Sequence, residues 1–274
     1  MSQQNLNFIF FGTPSIASRT LEILKEKGYI PKLIVTSPDK PSGRGLEMHE
    51  TPVAIWAKEN NIKTLKPEKI TPEFVNELEE IDLYIVVAYG KILPENLIKK
   101  PELGTINIHY SLLPKYRGAS PLEATLLNGD EETGVSIQQM EYKMDSGPIL
   151  REERIDIGIN DTKEELRETL INLGGNVLAE ILPSIKNKEI IPSPQDESLA
   201  TFCKKIKKED GEIDIHGDAK ENWNKYRAYF GWPGVFFFKD NKRIKITEAK
   251  YENNSFIIKR VIPEGKKERD YLEV

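Results

Sequence analysis

The sequence predicts an α/β protein: a Rossmann-like, doubly wound and mostly parallel sheet, followed by a small β-barrel-like domain at the C-terminus. Short apolar runs alternate with helical patterns through the first two-thirds of the chain. One of those runs, residues 82–88 (DLYIVVA), is apolar almost throughout, as a strand is when both faces of its sheet are covered. Beyond residues 191–197 (IPSPQDE), which carry two prolines and no periodicity, the apolar runs become strand-like and closely spaced. Strands alternating with helices give parallel crossovers, whereas closely spaced strands give hairpins.

The elements follow in order. Residues 7–11 (NFIFF) read as a buried strand ending at Gly12, and Ile16, Leu21, Ile23 and Leu24 then keep helical spacing. Residues 32–36 (KLIVT) are a second strand, and residues 37–51 are a polar loop. Pro52 opens a helix through VAIWAKEN, because its missing N–H belongs to the unsatisfied first turn anyway. Residues 82–88 and 104–109 (GTINIH) are further strands, and a sharp turn at Pro114 leads to a helix from about Pro121. Residues 133–140 and 148–157 form two more strands around the turn at 143–147. Thr162-x-x-Glu165 is a capping box opening a long helix whose Leu166, Leu170, Leu173, Val177, Ile181 and Ile185 keep helical spacing. Gly174 and Gly175 in its middle lower helix propensity and permit close packing. Beyond the proline-containing stretch, residues 223–230 form a helix, and 235–239, 244–249 and 256–262 form strands. The expected division is a domain over 1–188, a linker over 189–203 and a small β-rich domain over 204–274.

Composition narrows the class. With 38% hydrophobic and 30% charged residues over 274 positions, the chain reads as globular and large enough to bury a core without staples. Cys203 is its one cysteine, which excludes an internal disulfide and fits a reducing compartment. The opening MSQQNLN has no basic segment followed by an apolar one, and runs such as Val235-Phe236-Phe237-Phe238 are too short to cross a bilayer. A cytoplasmic protein with no membrane partner is expected, and a monomer. Net charge is -5, yet from Thr201 onward 17 Lys and Arg face 13 Asp and Glu, so the basic residues concentrate in the C-terminal part. Such asymmetry fits a polyanionic partner. His49, His109 and His216 are scattered, which leaves no metal-ligand spacing, and no P-loop or GxGxxG fingerprint is present.

The chemistry-bearing segment is Asn107-Ile108-His109-Tyr110-Ser111-Leu112-Leu113-Pro114. Asn107 and His109 share one strand face, because side chains alternate with a period of two. A carboxamide and an imidazole at the carboxyl end of a strand are suited to polarising a carbonyl oxygen, and ligands of open α/β sheets sit at those ends. Downstream, Met144-Asp145-Ser146-Gly147-Pro148 supplies a carboxylate able to fix the imidazole tautomer. Taken by themselves, these residues fit equally a strand-end cap, a satisfied core histidine and an Asx-turn.

NIHYSLLPKYRG, followed by ASPLEATLLNGDEETGVSIQQMEYKMDSGPIL, resembles the signature of the folate-dependent formyltransferases. The resemblance implies the formyltransferase fold, with Asn107, His109 and Asp145 as the catalytic trio, 10-formyltetrahydrofolate as formyl donor and no metal. It implies a folate site along Ser111, Leu112, Leu113 and Pro114 and at Met140, with Ala88, Tyr89 and Gly90 of the VVAYGKILP segment at the pterin pocket. Phe11-Gly12-Thr13-Pro14 and the loop PDKPSGRG resemble the branch of that family that acts on methionyl-tRNA. There the loop meets the tRNA, which implies Lys40, Gly43 and Arg44 as contacts, with the initiator methionyl-tRNA as acceptor. TFCKKI, GEID and YFGWPG resemble the family's tRNA-binding C-terminal domain, so Lys204, Lys205 and Lys207, with Lys208 beside them, are implied backbone contacts. A branch acting on a sugar nucleotide or another small primary amine shares the trio and is the alternative. Two departures bear on tRNA binding. The C-terminal domain is shorter than the family's, the gap falling between residue 257 and the final segment IPEGKK, and the loop reads Gly45-Leu46-Glu47 without further basic residues.

Overall fold

The computed structural model describes residues 6–42 and 47–272. In chain order its elements are β1 (Phe8–Gly12), α1 (Ser15–Glu26), β2 (Leu33–Val35), β3 (Lys40–Ser42), β4 (Glu47–His49), α2 (Pro52–Glu59), β5 (Thr64–Leu65) and α3 (Pro72–Glu77). There follow β6 (Leu83–Val87), α4 (Glu95–Ile98), β7 (Thr105–His109), β8 (Arg117–Gly118), α5 (Pro121–Asn128), β9 (Glu132–Gln139), β10 (Ile149–Asp156) and α6 (Lys163–Lys186). The chain ends with β11 (Phe202–Cys203), α7 (Ala219–Ala228), β12 (Val235–Lys239), β13 (Lys242–Glu252), β14 (Ser255–Pro263) and β15 (Arg269–Asp270). Two compact units emerge: one of Met1–Pro114, Gly134–Glu153 and Leu170–Ala200, the other of Lys115–Thr133, Arg154–Thr169 and Thr201–Val274.

The first unit holds a seven-stranded sheet in the order β10-β9-β7-β6-β1-β2-β5. The strands from β5 to β7 run parallel, and β9 joins β7 antiparallel. Every residue of β1 and β6 is buried, as their continuous apolar runs require. Strand order changes direction at β1, with β2 on one side and β6 then β7 on the other, so a crevice opens beyond the carboxyl ends of these strands. Gly12 sits at that switch point. A Cβ there would lie 2.6 Å from the Ala17 Cβ and 2.7 Å from the Phe10 ring, so only glycine lets the chain turn from β1 into α1. Gly174 and Gly175 of α6 serve close packing as expected: a Cβ on each would meet Ile108 of β7 at 3.0 Å and Ile23 of α1 at 2.8 Å.

Residues 37–51, expected as a loop, instead contain the β3–β4 hairpin, in which Lys40 pairs with His49 and Pro41 with Met48. Each strand is three residues long, too short for a period of two to stand out, and Pro41 sits in the middle of β3. The stretch 191–197 is also more ordered than its prolines suggest. Ser193 and Ile149 exchange backbone hydrogen bonds of 2.9 and 2.8 Å, and Asp196 caps a turn of 3-10 helix over Glu197–Leu199.

The second unit is built on a four-stranded antiparallel sheet, β12-β13-β14-β15. Helix α7 starts four residues before the expected Trp223, because the Asp218 side chain accepts a 2.8 Å hydrogen bond from the Glu221 N–H and caps it there. Trp223 stacks on Tyr226 and Tyr251 at ring distances of 5.4 and 6.3 Å, giving the unit an aromatic core. The expected capping box at the start of α6 is present, with the Glu165 carboxylate accepting from the Thr162 N–H at 2.9 Å. Among the described residues no helix is long and apolar enough to cross a membrane.

Candidate active site

Strand β7 places Asn107 and His109, and its neighbours hold them. Parallel pairing sets Asn107 beside Val86 of β6, whose carbonyl accepts a 2.9 Å hydrogen bond from the Asn107 Nδ2. On the other side the antiparallel register sets Asn107 opposite Gln138 and His109 opposite Ser136. Gln138, only 1% exposed, donates from Nε2 to the Asn107 Oδ1 at 3.4 Å and to the Asp145 Oδ1 at 2.9 Å. The His109 ring is buried, with its Nδ1 3.7 Å from the same Asp145 oxygen. That separation is within ion-pair range and longer than a charge-assisted hydrogen bond, as is common before substrate tightens a site.

Asp145 comes from the turn between β9 and β10. Its φ of +50° lies in the left-handed region, which Asp tolerates better than most residues. Two positions on, a Cβ at Gly147 would collide with the Gln139 carbonyl, which is why the turn reads Asp-x-Gly. Gln195 fastens the turn from outside, donating to the carbonyls of Asp145 at 2.9 Å and Gly147 at 2.7 Å. The three residues singled out from sequence therefore gather in one patch at the carboxyl end of β7. An amide N–H and an imidazole beside a carboxylate can stabilise a developing oxyanion and accept a proton.

The other sequence-derived positions fall as follows. Ser111–Pro114 follow β7 directly. Ser136 braces that turn: its Oγ accepts from the Leu113 N–H at 3.0 Å and donates to the Ser111 carbonyl at 2.7 Å. Leu112 is half-buried, and Pro114 follows a cis peptide. Ala88–Gly90 follow β6, the strand next to β7. Ala88 and Gly90 are exposed at φ of +47° and +79°, while Tyr89 turns inward, where burial pushes its phenol up to about 12. Met140 packs on the same apolar cluster as Tyr89 and Phe11. Thr13 ties the FGTP segment to this region through a 3.1 Å bond from its Oγ1 to the Tyr89 carbonyl.

Lys40 is exposed on β3, while Gly43 and Arg44 lie outside the described residues. In the second unit, Lys204, Lys205 and Lys207 are exposed and line an open cavity of 820 Å³ together with Lys115, Tyr116 and Tyr229. Sequence reasoning missed Gln138, Ser136, Gln195 and Lys115. Gln138 and Ser136 carry a signal only once β9 is paired against β7 in register. Gln195 carries none. Among the described residues no group of three or more His, Cys, Asp or Glu is placed to hold a metal ion.

Comparison with known proteins decides the family. Residues 4–182 match the family described as formyl transferase, and residues 205–268 match the formyl transferase C-terminal domain. The chain belongs to the formyltransferase family. This formyltransferase is 41% identical over 248 residues to the methionyl-tRNA formyltransferase of Caldanaerobacter subterraneus subsp. tengcongensis, covering 89% of the chain and 80% of that protein. To the enzyme of the same name from Citrifermentans bemidjiense it is 37% identical, over 98% of the chain and 85% of that protein. Among solved structures, methionyl-tRNA formyltransferase from Clostridium thermocellum aligns over 94% of the formyltransferase chain and 98% of its own, with a TM-score of 0.61 at 18% identity. The N-formyltransferase from Helicobacter canadensis, solved with folinic acid and dTDP-3-aminofucose, aligns over 90% and 89%, with a TM-score of 0.69 at 21% identity. At such identities these two structures speak for the shared fold, a mostly parallel sheet flanked by helices. The family uses folate-derived formyl donors, and this chain is an enzyme of formyl transfer.

Proposed function

We propose that this formyltransferase passes the formyl group of 10-formyltetrahydrofolate to the free amino group of initiator methionyl-tRNA, supporting translation initiation. The neutral amine attacks the formyl carbon; a C–N bond forms as the carbonyl electrons move onto oxygen. The Asn107 amide and a protonated His109 donate to that oxyanion, each well-placed donor worth about 3–4 kcal/mol. Asp145 orients His109 and, directly or through a water, takes the proton released by the amine. Collapse of the intermediate breaks the bond from the formyl carbon to N10, and N10 leaves as tetrahydrofolate after gaining a proton.

The observation that carries this reading is the convergence of Asn107, His109 and Asp145 at the end of one strand, with Asp145 Oδ1 3.7 Å from His109 Nδ1. Folate is assigned to Ala88, Tyr89 and Gly90 after β6, Ser111, Leu112, Leu113 and Pro114 after β7, and Met140 after β9, with Tyr89 and Met140 on one apolar cluster. The tRNA is assigned to Lys40, Gly43, Arg44, Lys204, Lys205 and Lys207; the lysine-lined cavity supports the last three. The catalytic domain is assigned to 1–188, the linker to 189–203 and the shortened tRNA-binding domain to 204–274. The protein acts as a cytoplasmic monomer in this reading.

The test is transfer from labelled 10-formyltetrahydrofolate, with initiator methionyl-tRNA, elongator methionyl-tRNA and a sugar-nucleotide amine assayed in parallel. Preferential labelling of the initiator species is expected. Labelling of the sugar amine with neither tRNA labelled would overturn the reading.

A further inference from the structure

Gln138 has no role in the mechanism above, yet it touches two of the three residues that do. It lies on β9 directly opposite Asn107, and 1% exposure leaves it almost no water to bond with. Its single Nε2 reaches both the Asn107 Oδ1 (3.4 Å) and the Asp145 Oδ1 (2.9 Å). Its Oε1 is buried without a hydrogen-bond partner among the described residues. An unsatisfied buried acceptor is unfavourable, so this amide orientation exists for what the other end does. Rotated by half a turn, Gln138 would set its oxygen against two acceptor oxygens.

The consequence falls on Asn107. A carboxamide presents a donor at one end and an acceptor at the other, and the two ends have nearly the same shape. Gln138 donates to the oxygen end, and the Val86 carbonyl accepts from the nitrogen end at 2.9 Å. Both neighbours select one orientation, and that orientation leaves one N–H of Nδ2 without a protein partner among the described residues, available to a ligand oxygen. The other donated bond holds the Asp145 carboxylate, at the very oxygen that faces His109.

We propose that Gln138 is a positioning residue for formyl transfer, indexing the donor end of Asn107 toward the reacting carbonyl and parking the Asp145 carboxylate beside His109. The inference rests on the assignment of Asn107, His109 and Asp145 to the chemistry. It makes Gln138 a determinant of turnover rather than of substrate binding, because it bonds to groups that act on the transition state.

The experiment compares Gln138→Leu, which keeps the volume and removes the donors, with Gln138→Glu, which keeps the shape and replaces the donor amide by a carboxyl group. Both are assayed with 10-formyltetrahydrofolate and methionyl-tRNA, alongside Asp145→Asn and the double variant with Gln138→Leu. Gln138→Leu is expected to lower kcat roughly 10- to 100-fold, with both KM values within about twofold of wild type. Gln138→Glu is expected to show an equal or larger deficit at pH 8 that narrows relative to wild type toward pH 6, because only the protonated carboxyl can donate. In the Asp145→Asn background Gln138→Leu should add about threefold or less, the non-additivity of groups acting as a unit. Wild-type kcat in both Gln138 variants, or a full additive loss beside Asp145→Asn, would overturn the proposal. So would a deficit in Gln138→Glu that stays constant with pH and tracks a lowered melting temperature. Near-wild-type turnover in Asp145→Asn would instead overturn the assignment of the trio, so the two failures read differently.

Discussion

The turn carrying Asp145 and the lysine-lined cavity of the second unit are built on opposite principles. At the turn, geometry is forced at every step: a left-handed φ at Asp145, a glycine that a single Cβ would evict, and side chains of Gln138 and Gln195 gripping carboxylate and backbone. Around the cavity, Lys204, Lys205 and Lys207 are exposed on the loop after the short strand β11, with no comparable side-chain grip among the described residues. The contrast follows from the tasks proposed for them. Stabilising a transition state needs donors placed within fractions of an ångström, whereas attracting a polyanion needs net charge within a Debye length.

The comparison can be broken by mutation. The largest effect is expected for His109→Ala and Asp145→Ala, each lowering kcat by about 100-fold or more while circular dichroism and melting temperature stay near wild type. Retained turnover in either would remove the trio. Gly147→Ala comes next: its new methyl meets the Gln139 carbonyl, so a stability loss of roughly 1–3 kcal/mol and a drop in kcat should appear together. Wild-type stability there would mean the turn is not forced. Third, the combined Lys204→Ala, Lys205→Ala and Lys207→Ala variant should raise the KM for methionyl-tRNA and flatten its log–log salt dependence, by up to about 0.9 in slope for each phosphate no longer neutralised. Its kcat and its KM for the folate should not change; a fall in kcat would place these lysines in the chemistry. The smallest effect is expected for Gln195→Ala, a few-fold fall in kcat as the turn loses two donors. An unchanged kcat would show that the turn holds Asp145 in place without Gln195.

Much of this was legible in the residues and some of it was not, for physical reasons. The strands β1 and β6 announce themselves because burial on both faces demands unbroken apolar runs, and the capping box of α6 announces a helix start by paired polar groups. Asn107, His109 and Asp145 could be named from the spacing of NIH and DSG only with the family resemblance behind them. The β3–β4 hairpin was not visible, since its strands are polar and carry a proline. The early start of α7 was hidden because the apolar signal begins at Trp223 while the cap is Asp218. Gln138 sits in a run, SIQQM, where either glutamine is an ordinary polar residue of a strand. Which of the two matters is decided by pairing across the sheet, a property that no single strand possesses.

That pairing has a consequence for how the catalytic region tolerates change. Because β9 runs against β7 residue for residue, Gln138 and Ser136 are held in place by the register of the whole strand. A slip by one position would turn every side chain of β9 to the opposite face, presenting Ile137 or Gln139 where Gln138 now stands. Insertions and deletions within β9, Glu132–Gln139, are therefore far more damaging than substitutions in the same stretch, and the strand works as a ruler whose graduations matter more than its markings.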